Sequence, residues 1–171
     1  MKKKLLFYVC LIPLLMSAQY DYISKLDSLN KKARYHYYSE KDSAFYYYRL
    51  ISEIANTINN DSIQIESLFN ATGVASYHFD LKKMGENLNL LDSLVPRTNS
   101  INSDNFNYLL YFKGDYYLKL FDYGQSRACF ERIIKNSALV SEVKKTETLK
   151  SLELVSYSFL GKIFLLEGKY D

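Results

Sequence analysis

Apolar positions recur every three or four residues along most of the chain. From Ile65 the series runs through Leu68, Phe69, Ala75 and Phe79, and from Phe106 through Leu109, Leu110, Tyr117 and Leu120. That spacing lays one apolar stripe along a helix and predicts amphipathic helices rather than strands. Further helices are predicted over Ser43–Ile58, Lys82–Val95 and Tyr123–Asn136, the second burying Leu88, Leu91 and Val95, the third Cys129, Phe130, Ile133 and Ile134. Turn formers separate the periodic stretches: Asn59-Asn60-Asp61-Ser62, Pro96-Arg97-Thr98-Asn99-Ser100, and a charged segment from Glu142 to Glu147. Asp61 with Gln64 reads as an N-cap pair for the helix that follows it.

Small residues mark a repeat in this helical pattern. Gly73 and Gly85 are followed 41 residues later by Gly114 and Ser126, and preceded at the same distance by Lys32, beside Ala33, and by Ala44. Gly161 reads as the marker of a fourth copy, six residues late, which implies an insertion in the preceding connection. Each copy is then a helical hairpin, with a small residue where its two helices cross and a larger side chain has no room. The chain is thus predicted to be all-α, a right-handed α-solenoid of about 3.5 hairpin repeats.

The fourth copy, Tyr157-x2-Leu160-Gly161-x2-Phe164 followed by Gly168-Lys169-Tyr170-Asp171, resembles the tetratricopeptide repeat family, whose pattern is W-x2-L-G-x2-Y. The third copy keeps Leu110, Gly114, Tyr117, Tyr123, Ser126 and Phe130, and the second keeps Phe69, Gly73 and Gly85. The resemblance covers residues 20 to 171. Lys113 and Thr72 stand where the family has Leu, Trp is lacking, and the period exceeds the family's 34 residues.

Charge divides the chain into a leader and a neutral body. Lys2, Lys3 and Lys4 precede an apolar run from Leu5 to Met16, and Ser17-Ala18 supply small residues before Gln19, which reads as a secretory signal peptide over residues 1–18. The run is shorter than the roughly 20 residues a bilayer core requires, and an uncleaved leader is the alternative. Of 22 basic and 19 acidic residues, the three leader lysines account for the whole excess, so residues 19–171 are neutral and carry no electrostatic footprint for nucleic acid. The repeat domain is therefore expected to be exported, periplasmic or in the cell envelope, with no membrane span of its own. Its last residues read as a continuation signal rather than a polar cap, so the chain is expected to be the front part of a longer array. Ile163 and Leu166, left without a partner helix, would then favour self-association.

Chemistry-bearing motifs are sparse. His36, His78 and Cys129 have no metal-ligand spacing, Gly161-Lys162 lacks the upstream glycine of a phosphate loop, and neither Ser76 nor Ser126 lies in a G-x-S-x-G turn. Cys129 falls on a packing stripe and reads as a buried thiol. No enzymatic activity, cofactor or metal is expected, with a site assembled from scattered polar residues as the alternative. The one excess is 17 tyrosines, crowded in Tyr35-His36-Tyr37-Tyr38 and Tyr46-Tyr47-Tyr48, more rings than a two-layer solenoid can bury. Each ring is either core or groove.

The family resemblance implies a concave wall built from the first helix of each hairpin, which selects Tyr37, Asn70, Tyr77, His78, Tyr108, Tyr111, Asp115 and Lys119 as the groove. It implies a non-enzymatic module that binds a protein or peptide. Because the layout is similar to exported repeat regions ahead of a membrane span, an extracytoplasmic sensory input region of a longer histidine kinase or DNA-binding regulator is the alternative.

Overall fold

The computed structural model describes residues 22–98 and 103–168. The proposed leader and its cleavage site, and the final turn from Lys169, lie outside them. Among the described residues there are seven α-helices and no strand. These are α1 (22–36), α2 (Lys41–Thr57), α3 (Asp61–Tyr77), α4 (Leu81–Thr98), α5 (Asp104–Lys119), α6 (Tyr123–Ala138) and α7 (Glu147–Leu166), with a single 3-10 turn at Glu142–Lys144. Helices adjacent in sequence pack together, and α3 also approaches α5 closely, as α5 does α7, whereas α2 and α4 stand farther apart and meet through side chains, Lys83 with Asp42 at 2.6 Å and Arg49 with Asn87 at 2.9 Å. The odd-numbered helices therefore form an inner wall and the even-numbered ones an outer layer, an all-α solenoid of helical hairpins.

One turn joins three of the helix pairs. Ile58, His78 and Leu120 end their helices, and Asn59, Phe79 and Phe121 follow in left-handed backbone at φ 52°, 55° and 61°. The next N–H reaches back five residues, Asn60 to Ala55, Asp80 to Ala75 and Asp122 to Tyr117, at 2.8 to 2.9 Å. These bonds satisfy carbonyls left open at the helix end. The same Asn60, Asp80 and Asp122 then cap the following helix by accepting from the N–H three residues on. Asn60, not Asp61, is thus the cap of α3; Asp61 is its first residue, where a carboxylate faces the positive end of the helix dipole. A bulky residue in left-handed backbone costs roughly 1–2 kcal/mol, offset at Phe79 and Phe121 by these paired bonds. Pro96 lies inside α4 rather than in a turn after it, and its missing N–H falls only two residues from the helix end.

Burial fixes the repeat register. The alternation of buried and exposed residues along α4 reappears along α6 at a shift of 42, and along α2 at a shift of 40 in the other direction. The inner wall repeats at 39 from α1 to α3, and at 42 from α3 to α5 and from α5 to α7. The single spacing of 41 lies between these values and aligns the wrong residues. In the burial register the small buried positions of the inner wall are Ala33, Thr72, Gly114 and Ser156, and one large buried position of the outer layer is held in turn by Tyr48, Leu88 and Phe130, the last of which faces Gly114. Gly114 carries the closest contact: a Cβ there would come within 2.7 to 3.0 Å of the Phe130 ring, which is itself stacked on Phe159 at 4.8 Å. Gly161 has nothing within 4 Å of its would-be Cβ, so the fourth marker is Ser156, at the regular spacing of 42 from Gly114, and the expected insertion before the fourth copy is not there.

The face that α7 turns inward also differs from the expected one. Leu149, Leu152 and Ile163 are buried, the last two in one cluster with Leu110, Leu118, Phe130 and Ile133. Ile163 is thus core, while Tyr157, Leu165 and Leu166 are exposed and Phe164 lies under the Arg127 guanidinium, 5.2 Å from its centroid. Gly114→Ala should lower stability by roughly 1–3 kcal/mol, because Phe130 cannot retreat from its stack. Gly161→Ala should raise it by about 0.5–1 kcal/mol through helix propensity alone. Thermal unfolding of the two variants checks the register; equal effects would contradict it.

Candidate functional site

The inner wall carries two adjoining concavities. The larger, about 410 Å³, lies between α3 and α5 under the turn that follows α1. Its floor is aromatic: Phe69 lies 5.6 Å from Tyr108 and 5.9 Å from Phe112, nearly parallel to the latter, and Tyr108 lies 6.4 Å from Phe112. Tyr37 closes one end with its hydroxyl against Gly73, where a Cβ would come within 2.7 Å of that oxygen. Ser62, Glu66, Asn70 and Asn105 supply the polar lining. The second concavity, about 260 Å³, lies between α1, α2 and α3, and shares Glu66 and Asn70 with the first.

The eight residues chosen from the sequence divide into four groups. Tyr37, Asn70 and Tyr108 line the larger concavity. Tyr77 and His78 lie at the C-terminal edge of α3: Tyr77 is exposed with its ring 5.2 Å from Tyr38, and His78 Nε2 is 3.1 Å from the Tyr37 carbonyl. Tyr111 belongs to the core. It sits three residues beyond Tyr108, about 60° around the helix, which turns its ring onto Phe130 and Phe159 at 6.4 and 6.0 Å. Burial raises its phenol pKa, and Asp115 adds to the shift.

Asp115 and Lys119 form the fourth group, and they serve the wall rather than the groove. The two pair with each other, and their side chains are 7% and 14% exposed. Ser76 Oγ donates to Asp115 Oδ2 at 2.5 Å and accepts from Lys119 Nζ at 3.2 Å, and that ammonium stands 5.2 Å from the Phe79 ring centroid. A buried carboxylate with its own cation and hydroxyl is satisfied internally. It ties α5 to α3 and offers a ligand nothing.

From the sequence Phe69 reads only as an apolar and repeat-pattern residue, and Phe112 and Glu66 are not singled out. The signal that places Glu66 and Phe112 is the 42-residue register, in which Glu66 and Tyr108 hold one inner-wall position and Asn70 and Phe112 another. With the site's two charged residues neutralised elsewhere, the lining of the larger concavity contains one acid, Glu66, and no base. Glu66 is exposed and forms no ion pair with any described residue. In the smaller concavity Asp27 is held by Lys31 at 2.8 Å. Among the described residues no three His, Cys, Asp or Glu side chains group to hold a metal, and no helix is long and apolar enough to cross a membrane. Cys129 is buried, and burial raises its thiol pKa.

No family model matches the chain, and no curated protein or solved structure matches it.

Burial pushes the Tyr37 phenol up to about 12, with Tyr38, Tyr48 and Tyr111 adding to the shift. The ordinary value is about 10. The folded protein therefore retains a proton that the unfolded chain releases, so this contribution to stability is complete below pH 10 and is lost as pH rises towards 12. The difference in tyrosinate absorbance between wild type and Tyr37→Phe should appear near pH 12. A difference centred on pH 10 would mean that the ring is not closed into the groove.

Proposed function

We propose that the chain is a non-enzymatic helical-repeat module of the tetratricopeptide type that binds a protein or peptide along its inner wall, outside the cytoplasm. The observation that carries this reading is the aromatic floor of Phe69, Tyr108 and Phe112 in a concavity of about 410 Å³ bordered by amide and hydroxyl side chains. Stacked rings give a segment of chain a large apolar contact at small entropic cost, and the amides along the border can pair with its backbone. The exported setting rests on the basic start and short apolar run before Gln19.

A photo-crosslinking residue at Tyr108, compared with one at Asn89 on the exposed face of α4, tests the reading in cells. Protein or peptide adducts should form at position 108 and not at 89. Adducts at 89 alone, or at neither position, would reject the inner wall as the binding face.

A further inference from the structure

The inner wall changes character along the solenoid. In the burial register one equivalent position is occupied by Asp27 in α1, Glu66 in α3, Tyr108 in α5 and Lys150 in α7, so it runs from acid through ring to base. The two terminal charges have partners of their own. Lys31 holds Asp27 at 2.8 Å, and Glu147 holds Lys150 at 2.9 Å. On the α1 side Arg34 acts electrostatically on the Tyr48 phenol, as Glu66 does, and forms no ion pair with Glu66. That leaves Glu66, exposed and without an ion-pair partner among the described residues, beside the ring floor it shares with Tyr108.

An exposed carboxylate next to stacked rings is complementary to one kind of side chain. A lysine or arginine has an apolar stem that covers a ring and a cationic head attracted both by a ring face and by a carboxylate. An acidic segment would meet the opposite: Glu66 would repel it, and no base in the lining would compensate. A wholly apolar segment would cover Phe69 and Phe112 but would place Glu66 at the edge of a dry contact, where an unpaired charge is costly.

We infer that the concavity between α3 and α5 binds an extended peptide segment bearing a lysine or arginine, its cation on Glu66 and over the Tyr108 ring, and an adjoining apolar side chain against Phe69 and Phe112. This deepens the binding reading above and depends on it. The segment lies along the groove between the two helices, with its basic residue towards the N-terminal ends of α3 and α5 and its apolar residue towards their middles. Affinity then falls with added salt, because the ion pair is solvent-facing and is screened.

The test uses the full chain and a random library of short peptides with acetylated and amidated ends, so that terminal charges do not contribute. Bound peptides should be enriched in Lys and Arg. For an enriched peptide, Glu66→Gln should weaken binding about five- to tenfold with no change in melting temperature, since Glu66 is exposed. Tyr108→Ala should weaken it similarly, and replacing the peptide's base by norleucine should remove the effect of Glu66→Gln. Peptides that bind, compete at Tyr108 and carry no base would overturn the cation assignment while leaving the binding reading intact. The same conclusion would follow from a Glu66→Gln protein that binds its enriched peptide unchanged. A library from which nothing binds would overturn both.

Discussion

The contact on which the rest of the structure depends is the crossing of each inner-wall helix with its outer partner, where one small residue meets one large one. In the burial register Ala33 is matched with Tyr48, Thr72 with Leu88 and Gly114 with Phe130, and every one of these positions is nearly or fully closed to solvent. The sizes compensate: the largest inner residue, Thr, is paired with the smallest outer one, Leu, and the rings are paired with Ala and Gly. Close-packed interiors admit neither a gap nor an overlap of a methyl group at such a point. The separation of the two layers, and with it the curvature that opens the groove, is set there.

The groove follows from that spacing. Bringing α3 and α5 together on the inside, with α2, α4 and α6 spread on the outside, leaves Phe69, Tyr108 and Phe112 facing a common space that their own helices cannot fill. The polar group of Ser76, Asp115 and Lys119 holds α3 to α5 at their C-terminal ends, and Lys113 reaches from α5 to Asp92 of α4 at 2.9 Å. Tyr37 enters from the turn after α1 because Gly73 offers no side chain to stop it. Thus the site is assembled from three helical segments, none of which could present it alone.

Helix existence, helix order and hairpin pairing were legible in the sequence because the apolar stripe in each helix is continuous; Tyr123 begins α6 where the periodicity places it, and the other predicted ends fall within three residues of the observed ones. The register was not. Gly73 and Gly85 do mark close approaches, to the hydroxyls of Tyr37 and Tyr116. The first is a contact along the inner wall and the second joins α4 to α5 of the next hairpin, and both differ from the crossing within one hairpin that Gly114 makes with Phe130. A glycine in a helix reports that something comes near, not what comes near, and the true equivalents of Gly114 are a threonine and a serine that satisfy their own hydroxyls on carbonyls four residues back. Tyr111, Asp115 and Lys119 entered the expected groove because they lie on the first helix of a hairpin, and Glu66 and Phe112 were left out. A register of 42 sets Glu66 with Tyr108 and Asn70 with Phe112, but it also sets Tyr111 with the floor residue Phe69, and only the ring contacts with Phe130 and Phe159 place Tyr111 in the core.

Size compensation at the crossing is tested most directly by transplanting one pair onto another. Gly114→Thr and Phe130→Leu together copy the Thr72 and Leu88 pair into the third hairpin, where each change alone overpacks or opens a cavity. Denaturant unfolding of the wild type, both single variants and the double variant gives the coupling between the two sites. Size compensation predicts that the double variant is more stable than the sum of the single losses by more than about 1 kcal/mol. Losses that add to within about 0.5 kcal/mol would mean that Gly114 and Phe130 are not the partners that set the spacing of the layers.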